Sequence, residues 1–322
     1  MASRNGCEPR YRVRRTEAAG LLLIALVLTS CSTAASVHSA ASIAPASATP
    51  AIRGVTPAPA AAATLAGCPP PVPESALQVL VRPSGDPDDV SVAADGSLWV
   101  SDTDENALLH LSSTGAALGR IDDPNSPEGS VVLPDGRLVV ADQADNRITV
   151  VMYSSGAPTK VLDVLAGAIG QLGVDGIGYD SLDGRLLVPD SPTGELYAVS
   201  PDTGDASLLA SGMGRIVDAA LGPDGAIYVV AETARGLLRV PAAGGTAVQV
   251  GRLTDLDDVV ALDGLLYVTD LGGSVWAVDP STGRQRELVT DAEAPQGLVS
   301  VNGRLLLVDE AARVVAWMVP CR

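Results

Sequence analysis

The sequence predicts an all-β fold: a six-bladed β-propeller of four-stranded antiparallel blades, closed by an N-terminal strand set into the last blade. Three observations predict it. One strand–turn–strand pattern occurs six times, a turn glycine marks each copy, and a second turn runs in phase with the first. The marking glycines are Gly96, Gly136, Gly184, Gly225, Gly264 and Gly303, at intervals of 40, 48, 41, 39 and 39 residues. The second set is Gly115, Gly156, Gly204, Gly245 and Gly283. A period near forty with two hairpin turns per unit is the signature of propeller blades, ~40–45 residues and four strands each.

The chain divides into 1–30, 31–67 and 68–322. In the first part Arg4, Arg10, Arg12, Arg14 and Arg15 precede "AAGLLLIALVLTSC", an apolar run that reads as a signal peptide and is too short to span a bilayer. Its last four residues, Leu28-Thr29-Ser30-Cys31, resemble the bacterial lipobox. That resemblance implies cleavage before Cys31, a diacylglyceryl thioether on its sulfur and usually a third acyl chain on its amine. Two or more chains anchor stably where one is marginal. The domain is therefore expected on the outer side of the cytoplasmic membrane or in the cell envelope, with the membrane as a partner through the lipid. Residues 32–67 are Ala, Pro, Ser and Thr almost throughout, without apolar periodicity, and read as a disordered tether.

The leader holds five of the 21 basic and two of the 38 acidic residues, so the chain beyond it has 16 basic, 36 acidic and a net charge of −20. Such a charge argues against binding nucleic acid and favours cations, small basic molecules or a basic protein partner.

From residue 68 onward the elements follow in order. "ALQVLV" (76–81) is a strand with no hairpin partner of its own. Then come the second-strand runs "SLWV", "RLVV", "RLLV", "AIYVV", "LLYV" and "RLLLV", short, rich in β-branched and aromatic residues, and bounded by Gly, Pro and Asp. Asp-Gly before five of them and Asn302-Gly303 before the sixth supply the positive-φ residue of a tight hairpin. The last copy ends after its third strand, 314–319, and the unpartnered strand 76–81 is available to complete it. Cys68 and Cys321 then meet at the two ends of the folded region. In an oxidising exported compartment they are a disulfide candidate.

At this point a resemblance enters. "PDGRLVVADQADNRITVV" (134–151) looks like an NHL-repeat unit, and "PEGSVVLPDGRLVVAD" (127–142) is similar to the senescence-marker-protein/gluconolactonase family. The similarity spans residues 76–320 and implies a six-bladed propeller without choosing one member. WD-repeat signatures are missing, and "AVDPSTGRQREL" resembles quinone-binding propellers without their docking Trp motif.

In a propeller the start of each innermost strand and the end of each second strand share one face. The aligned starts are Asp88-Asp89, Glu128-Gly129, Asp175-Gly176, Val217-Asp218, Asp257-Asp258 and Gln296-Gly297. Five of the six bring a carboxylate to the channel mouth, so Asp88, Glu128, Asp175, Asp218 and Asp257 are candidate ligands of one divalent cation, Ca²⁺ first, with a wide hydrated channel as the alternative. Asp89, Asp258 and Gln296 are candidate ligand-binding residues. The second-strand ends add Asp102, Asp142, Asp190, Asp270 and Asp309, read as turn residues that accept backbone N–H groups. The family resemblance implies a metal held by Glu, Asn and Asp from different blades, polarising a lactone carbonyl beside an Asp that activates water. Two departures count against catalysis here: blade four has Val217 and Asp218 where an Asn ligand is usual, and blade six has the neutral Gln296. No general base is assigned.

Other chemistries lack their residues. The chain has two histidines, His38 in the tether and His110 in a third-strand run, which leaves no paired-His zinc site. Lys160, the only lysine, has no partner for Schiff-base work, no G-x-S-x-G elbow occurs, and Trp99, Trp276 and Trp317 lie in strand runs as core. The resulting expectation is a membrane-anchored propeller that binds a ligand or protein at its acidic mouth. A metal-dependent lactonase is the alternative, and a purely structural envelope protein is the third reading. The loop 165–176 is expected to shape the pocket.

Overall fold

A computed structural model describes residues 62–122, 125–152, 157–162 and 173–322, all within the compact unit Pro59–Arg322. The signal sequence, Cys31 and the tether through residue 61 lie outside the described residues, as do residues 165–172 of the loop expected to shape the pocket. Among the described residues no helix is long and apolar enough to cross a membrane.

Six antiparallel sheets of four strands form the blades. Their innermost strands are Pro87–Val92, Pro127–Val132, Gly178–Asp180, Ile216–Leu221, Leu256–Leu262 and Pro295–Val301. The second strands are Leu98–Asp102, Arg137–Asp142, Arg185–Asp190, Ile227–Ala231, Leu265–Asp270 and Arg304–Asp309. These second strands are apolar at consecutive positions because each blade is covered on both faces. In blade four, Ile227 and Val229 pack into the cluster shared with blade three, whereas Tyr228 and Val230 pack into the cluster shared with blade five. Leu266 and Val268 of blade five turn back toward Tyr228, while Leu265 and Tyr267 face blade six. The two-residue alternation of a strand thus sorts side chains between two neighbours rather than between core and water. Fully burying a side chain of this size contributes ~1.5–3 kcal/mol.

The ring closes as the sequence implied. Gln78–Val81 is the outer strand of blade six, with Gln78 opposite Trp317, Val79 opposite Ala316 and Val81 opposite Val315. The Cys68–Cys321 disulfide is present, with an S–S distance of 2.03 Å. One feature of the closure has no counterpart in the sequence reading. Before joining blade six, Val72–Pro73 runs parallel to the outer strand Gln285–Thr290 of blade five and covers its edge.

The marking turns are of two kinds. Asp263-Gly264 and Asn302-Gly303 have both residues at positive φ, the two-residue hairpin that such pairs favour. At Gly96 and Gly136 only the glycine is left-handed, and the hydrogen bonds Ser97 O with Ala93 N and Arg137 O with Leu133 N close longer loops.

Candidate acidic channel mouth

The inner strands open at one end of a central channel. In five blades the first inner residue pairs with the last residue of the second strand: Pro87 with Asp102, Pro127 with Asp142, Ile216 with Ala231, Leu256 with Asp270 and Pro295 with Asp309. Directly afterwards the register slips. The mouth residues of these blades therefore sit on β-bulges, which re-aim side chains out of the regular alternation. Where the bulge carries two aspartates, a buried hydroxyl from the second strand satisfies it. The Asp89 amide donates to Ser101 Oγ at 2.8 Å and the Asp258 amide to Thr269 Oγ1 at 2.8 Å.

The two residues of each bulge have separate jobs. A carboxylate at the second position reaches the next blade: the Ser130 amide donates to Asp89 Oδ2 at 2.7 Å, the Val259 amide to Asp218 Oδ2 at 3.2 Å, and the Leu298 amide to Asp258 Oδ2. A glycine at that position lets backbones meet directly. The Gly129 amide donates to the Asp175 carbonyl at 3.0 Å and the Gly176 amide to the Val217 carbonyl at 2.6 Å. At Gly297 a Cβ would lie 2.7 Å from the Asp89 Cα, so only glycine fits where blade six meets blade one. Asp89, Asp218 and Asp258 are thus bridges between blades. Asp218, placed by the sequence reading with the metal candidates, stands in register with Asp89 and Asp258 rather than with Asp88.

The first-position residues form two unlike arcs. Across blades two to four the arc is closed. Gln143 Nε2 donates to Glu128 Oε2 and, at 3.2 Å, to Asp175 Oδ2. The Arg215 guanidinium lies 2.8 Å from Asp175 Oδ2 and also pairs with Glu232. Burial and then the neighbouring Asp175 charge push the Glu128 carboxyl well above the usual range. Burial raises Asp175 as well, to about 6, while its contact with Glu128 and the Arg215 charge hold it down.

Across blades five, six and one the arc is open. Among the described residues no side-chain or backbone donor reaches the carboxylate of Asp88 or of Asp257. Both are pushed well above the normal range, first by burial and then by the Asp175 charge. Between them in the ring, Gln296 donates through Nε2 to Glu310 at 3.2 Å, and its Oε1 is buried without a donor. The bridging acids are perturbed too. Burial, set against the Ser130 hydrogen bond, takes Asp89 to about 7, and burial with the Asp218 charge raises Asp258 well above its ordinary value.

Below the mouth lies a cavity of about 380 Å³. Every charged residue lining it is one of the six mouth aspartates. Three of the second-strand aspartates accept turn amides as expected: Asp309 those of Glu293, Ala294 and Ala312, Asp270 that of Gly272 and Asp102 that of Glu105, whereas Asp142 accepts from the Thr149 hydroxyl and pairs with Arg147, and Asp190 Oδ1 is buried without a partner. Trp99 and His110 stack at 4.4 Å, buried in blade one and away from the mouth.

The donor set of the mouth suits a hard divalent cation in kind, but the arrangement does not. Asp175 is committed to Arg215 and Gln143, and Asp218 to the next blade. Among the described residues no three His, Cys, Asp or Glu side chains come together as a metal site requires. Arg215, Gln143, Glu232 and Glu310 were not singled out from the sequence. One signal was legible: Arg215 is the only basic residue directly preceding an inner strand.

No family model matches the chain, and no curated protein sequence is significantly similar to it. Solved structures do match it in fold. A gluconolactonase from Xanthomonas campestris aligns with a TM-score of 0.63 and 18% identity over 83% of this chain and 99% of that one. Virginiamycin B lyase from Staphylococcus aureus, solved with quinupristin, aligns with a TM-score of 0.58 and 17% identity over 74% of this chain and 82% of that one. A chain of a nidogen/laminin complex aligns with a TM-score of 0.59 and 19% identity over 67% and 84%. Enzymes and a binding protein thus share this fold, and function has to be argued from the mouth.

Proposed function

We propose that this protein is an exported propeller, held at the outer side of the membrane by a lipid on Cys31, whose mouth takes up the positively charged group of a small molecule or basic protein. One observation carries the reading: Asp88 and Asp257 are enclosed carboxylates without a donor, facing the open arc of an otherwise satisfied ring. Carboxylates in such a place either keep protons or meet a cation. The leader, the lipobox-like Leu28–Cys31 and the Cys68–Cys321 disulfide support the exported location. The scarcity of convergent carboxylates favours an ammonium or guanidinium over a bare metal ion, though Ca²⁺ belongs in the test.

The test is a thermal-shift and calorimetric titration at pH 8 with propylammonium, guanidinium and Ca²⁺, on the native protein and on Asp88→Asn. A cation-dependent rise in melting temperature that the variant loses is the expected result. If no cation shifts the native protein, the mouth reading fails and the structural reading gains.

A second reading, a metal-dependent lactonase, draws support from the gluconolactonase among the matching folds. It requires turnover of a lactone panel that chelation abolishes and that Asp257→Asn mimics. Stable lactones in the presence of Ca²⁺ would remove it.

A further inference from the structure

The channel changes character with depth. At the mouth it is lined by the six aspartates, and below them the inner strands present Val92, Val131, Tyr179, Leu221, Val260 and Val299. All six of these are only partly buried: Val92 and Val299, Val131 and Tyr179, and Val260 rest on the edges of three between-blade clusters and leave the rest of their apolar surface open to the channel. Their neighbours Val90, Ala219 and Val259 on the same strands lie deeper between the blades and are buried. Serine is sparse, the hydroxyls of Ser91 and Ser130 satisfy each other at 2.9 Å, and among the described residues no charged side chain lines this depth. A packed ring would have turned such surface away from solvent. Left open beneath a charged rim, it forms a site with two chemistries in series. The cavity of about 380 Å³ falls in the size range of small-molecule sites, ~300–1,000 Å³.

We infer that the ligand is an amphiphilic primary ammonium, its charged head at Asp88 and Asp257 and its hydrocarbon body in the apolar channel below. This rests on the cationic-mouth reading and names the class of ligand for that site. A primary ammonium carries three N–H donors and no acceptor. The open arc offers two acceptors that line the cavity, the donor-free carboxylates of Asp88 and Asp257, with the blade of Gln296 between them in the ring. A carboxylate or phosphate amphiphile would meet the same apolar channel but be repelled at the rim. A methylated quaternary head would bring no N–H to these oxygens. Head and tail therefore select together, the rim by charge and the channel by apolar contact.

The experiment measures affinity at pH 8 for propyl-, hexyl- and octylammonium, with octanol and octanoate as controls. It uses the full chain carrying Cys31→Ser, so that no attached lipid competes for the amphiphile. Affinity is expected to rise by roughly fourfold per methylene, the equivalent of about 0.8 kcal/mol per buried CH₂. Octanoate should not bind, and Asp88→Asn/Asp257→Asn should weaken all three amines alike. Leu221→Asp, which places a charge in the channel, should abolish the advantage of octyl- over propylammonium while propylammonium still binds. Equal affinity along the series overturns the apolar assignment and leaves the cationic mouth standing. A rise with chain length that octanol matches, or amine affinities that Asp88→Asn/Asp257→Asn leaves unchanged, overturns the mouth assignment and leaves only an apolar channel. Absence of binding by every amine overturns both.

Discussion

Raising the pH should weaken the ligand-free protein across a range in which most proteins are insensitive. The enclosed carboxyls hold their protons more tightly in the folded chain than in the unfolded one. Asp175 titrates at about 6 and Asp89 at about 7, both from an ordinary value of 3.8. Between the unfolded and folded values the native state binds more protons, so stability is greatest below the unfolded value and falls as pH rises through the folded one. At about 1.4 kcal/mol per pH unit, Asp175 alone makes folding ~3 kcal/mol less favourable at pH 8 than at pH 4. The carboxyls titrate as one cluster, so their contributions overlap, and the expected total is ~3–5 kcal/mol rather than a sum over all of them. Urea unfolding followed by tryptophan fluorescence reads this directly. With an m-value of ~2–3 kcal/mol/M, the midpoint should drop by ~1–2 M between pH 5 and pH 8. Below pH 4 the trend should reverse, as carboxylates held low by arginines, such as Asp135 beside Arg137, lose their charge. A midpoint that is flat or rising from pH 5 to pH 8 would refute the picture of an enclosed, proton-holding ring.

Three further outcomes follow from the same geometry. Gly297→Ala places a Cβ 2.7 Å from the Asp89 Cα where the last blade meets the first, and should lower stability by ~1–3 kcal/mol or more in the same urea assay. Reducing the Cys68–Cys321 disulfide, which spans 253 residues, should cost ~5 kcal/mol in the chain-entropy model, seen as a melting temperature lower by several degrees in reductant. Arg215→Gln removes the cation from Asp175 and Glu232. The cost should be ~2–3 kcal/mol at pH 8 and clearly smaller at pH 5, where protons can replace the lost charge.

The repeat carried the fold because a propeller blade is a local unit: turn glycines, second-strand runs and the orphan strand 76–81 each state their own geometry. The same spacing brought Asp88, Glu128, Asp175, Asp218 and Asp257 to one mouth. What the spacing could not reveal is division of labour within the mouth. Whether an aspartate faces the channel or bridges to the next blade depends on the β-bulge, and a bulge is a relation between two strands. A signal existed in the hydroxyls of Ser101 and Thr269, which precede Asp102 and Asp270 only in the two blades whose mouths carry paired aspartates. Arg215 and Gln143 were hidden for a similar reason. Each acts on a carboxylate of another strand, so beyond the place of Arg215 directly before an inner strand nothing in the local sequence marks them. The parallel strand Val72–Pro73 was illegible because two residues among prolines carry no periodicity.

The most direct measurement compares the two arcs. Affinity for octylammonium at pH 8 is measured for Asp88→Asn and Asp257→Asn on one side, and for Glu128→Gln and Asp175→Asn on the other. Losing a charge-assisted hydrogen bond costs ~1.5–3 kcal/mol, so each variant of the open arc should bind roughly tenfold or more weakly. The closed-arc variants should stay within about threefold of the native protein, since Glu128 and Asp175 are engaged by Gln143 and Asp175 is also committed to Arg215. Equal losses in both arcs, or a larger loss at Glu128 and Asp175, would contradict a mouth whose free charge lies between blades five and one.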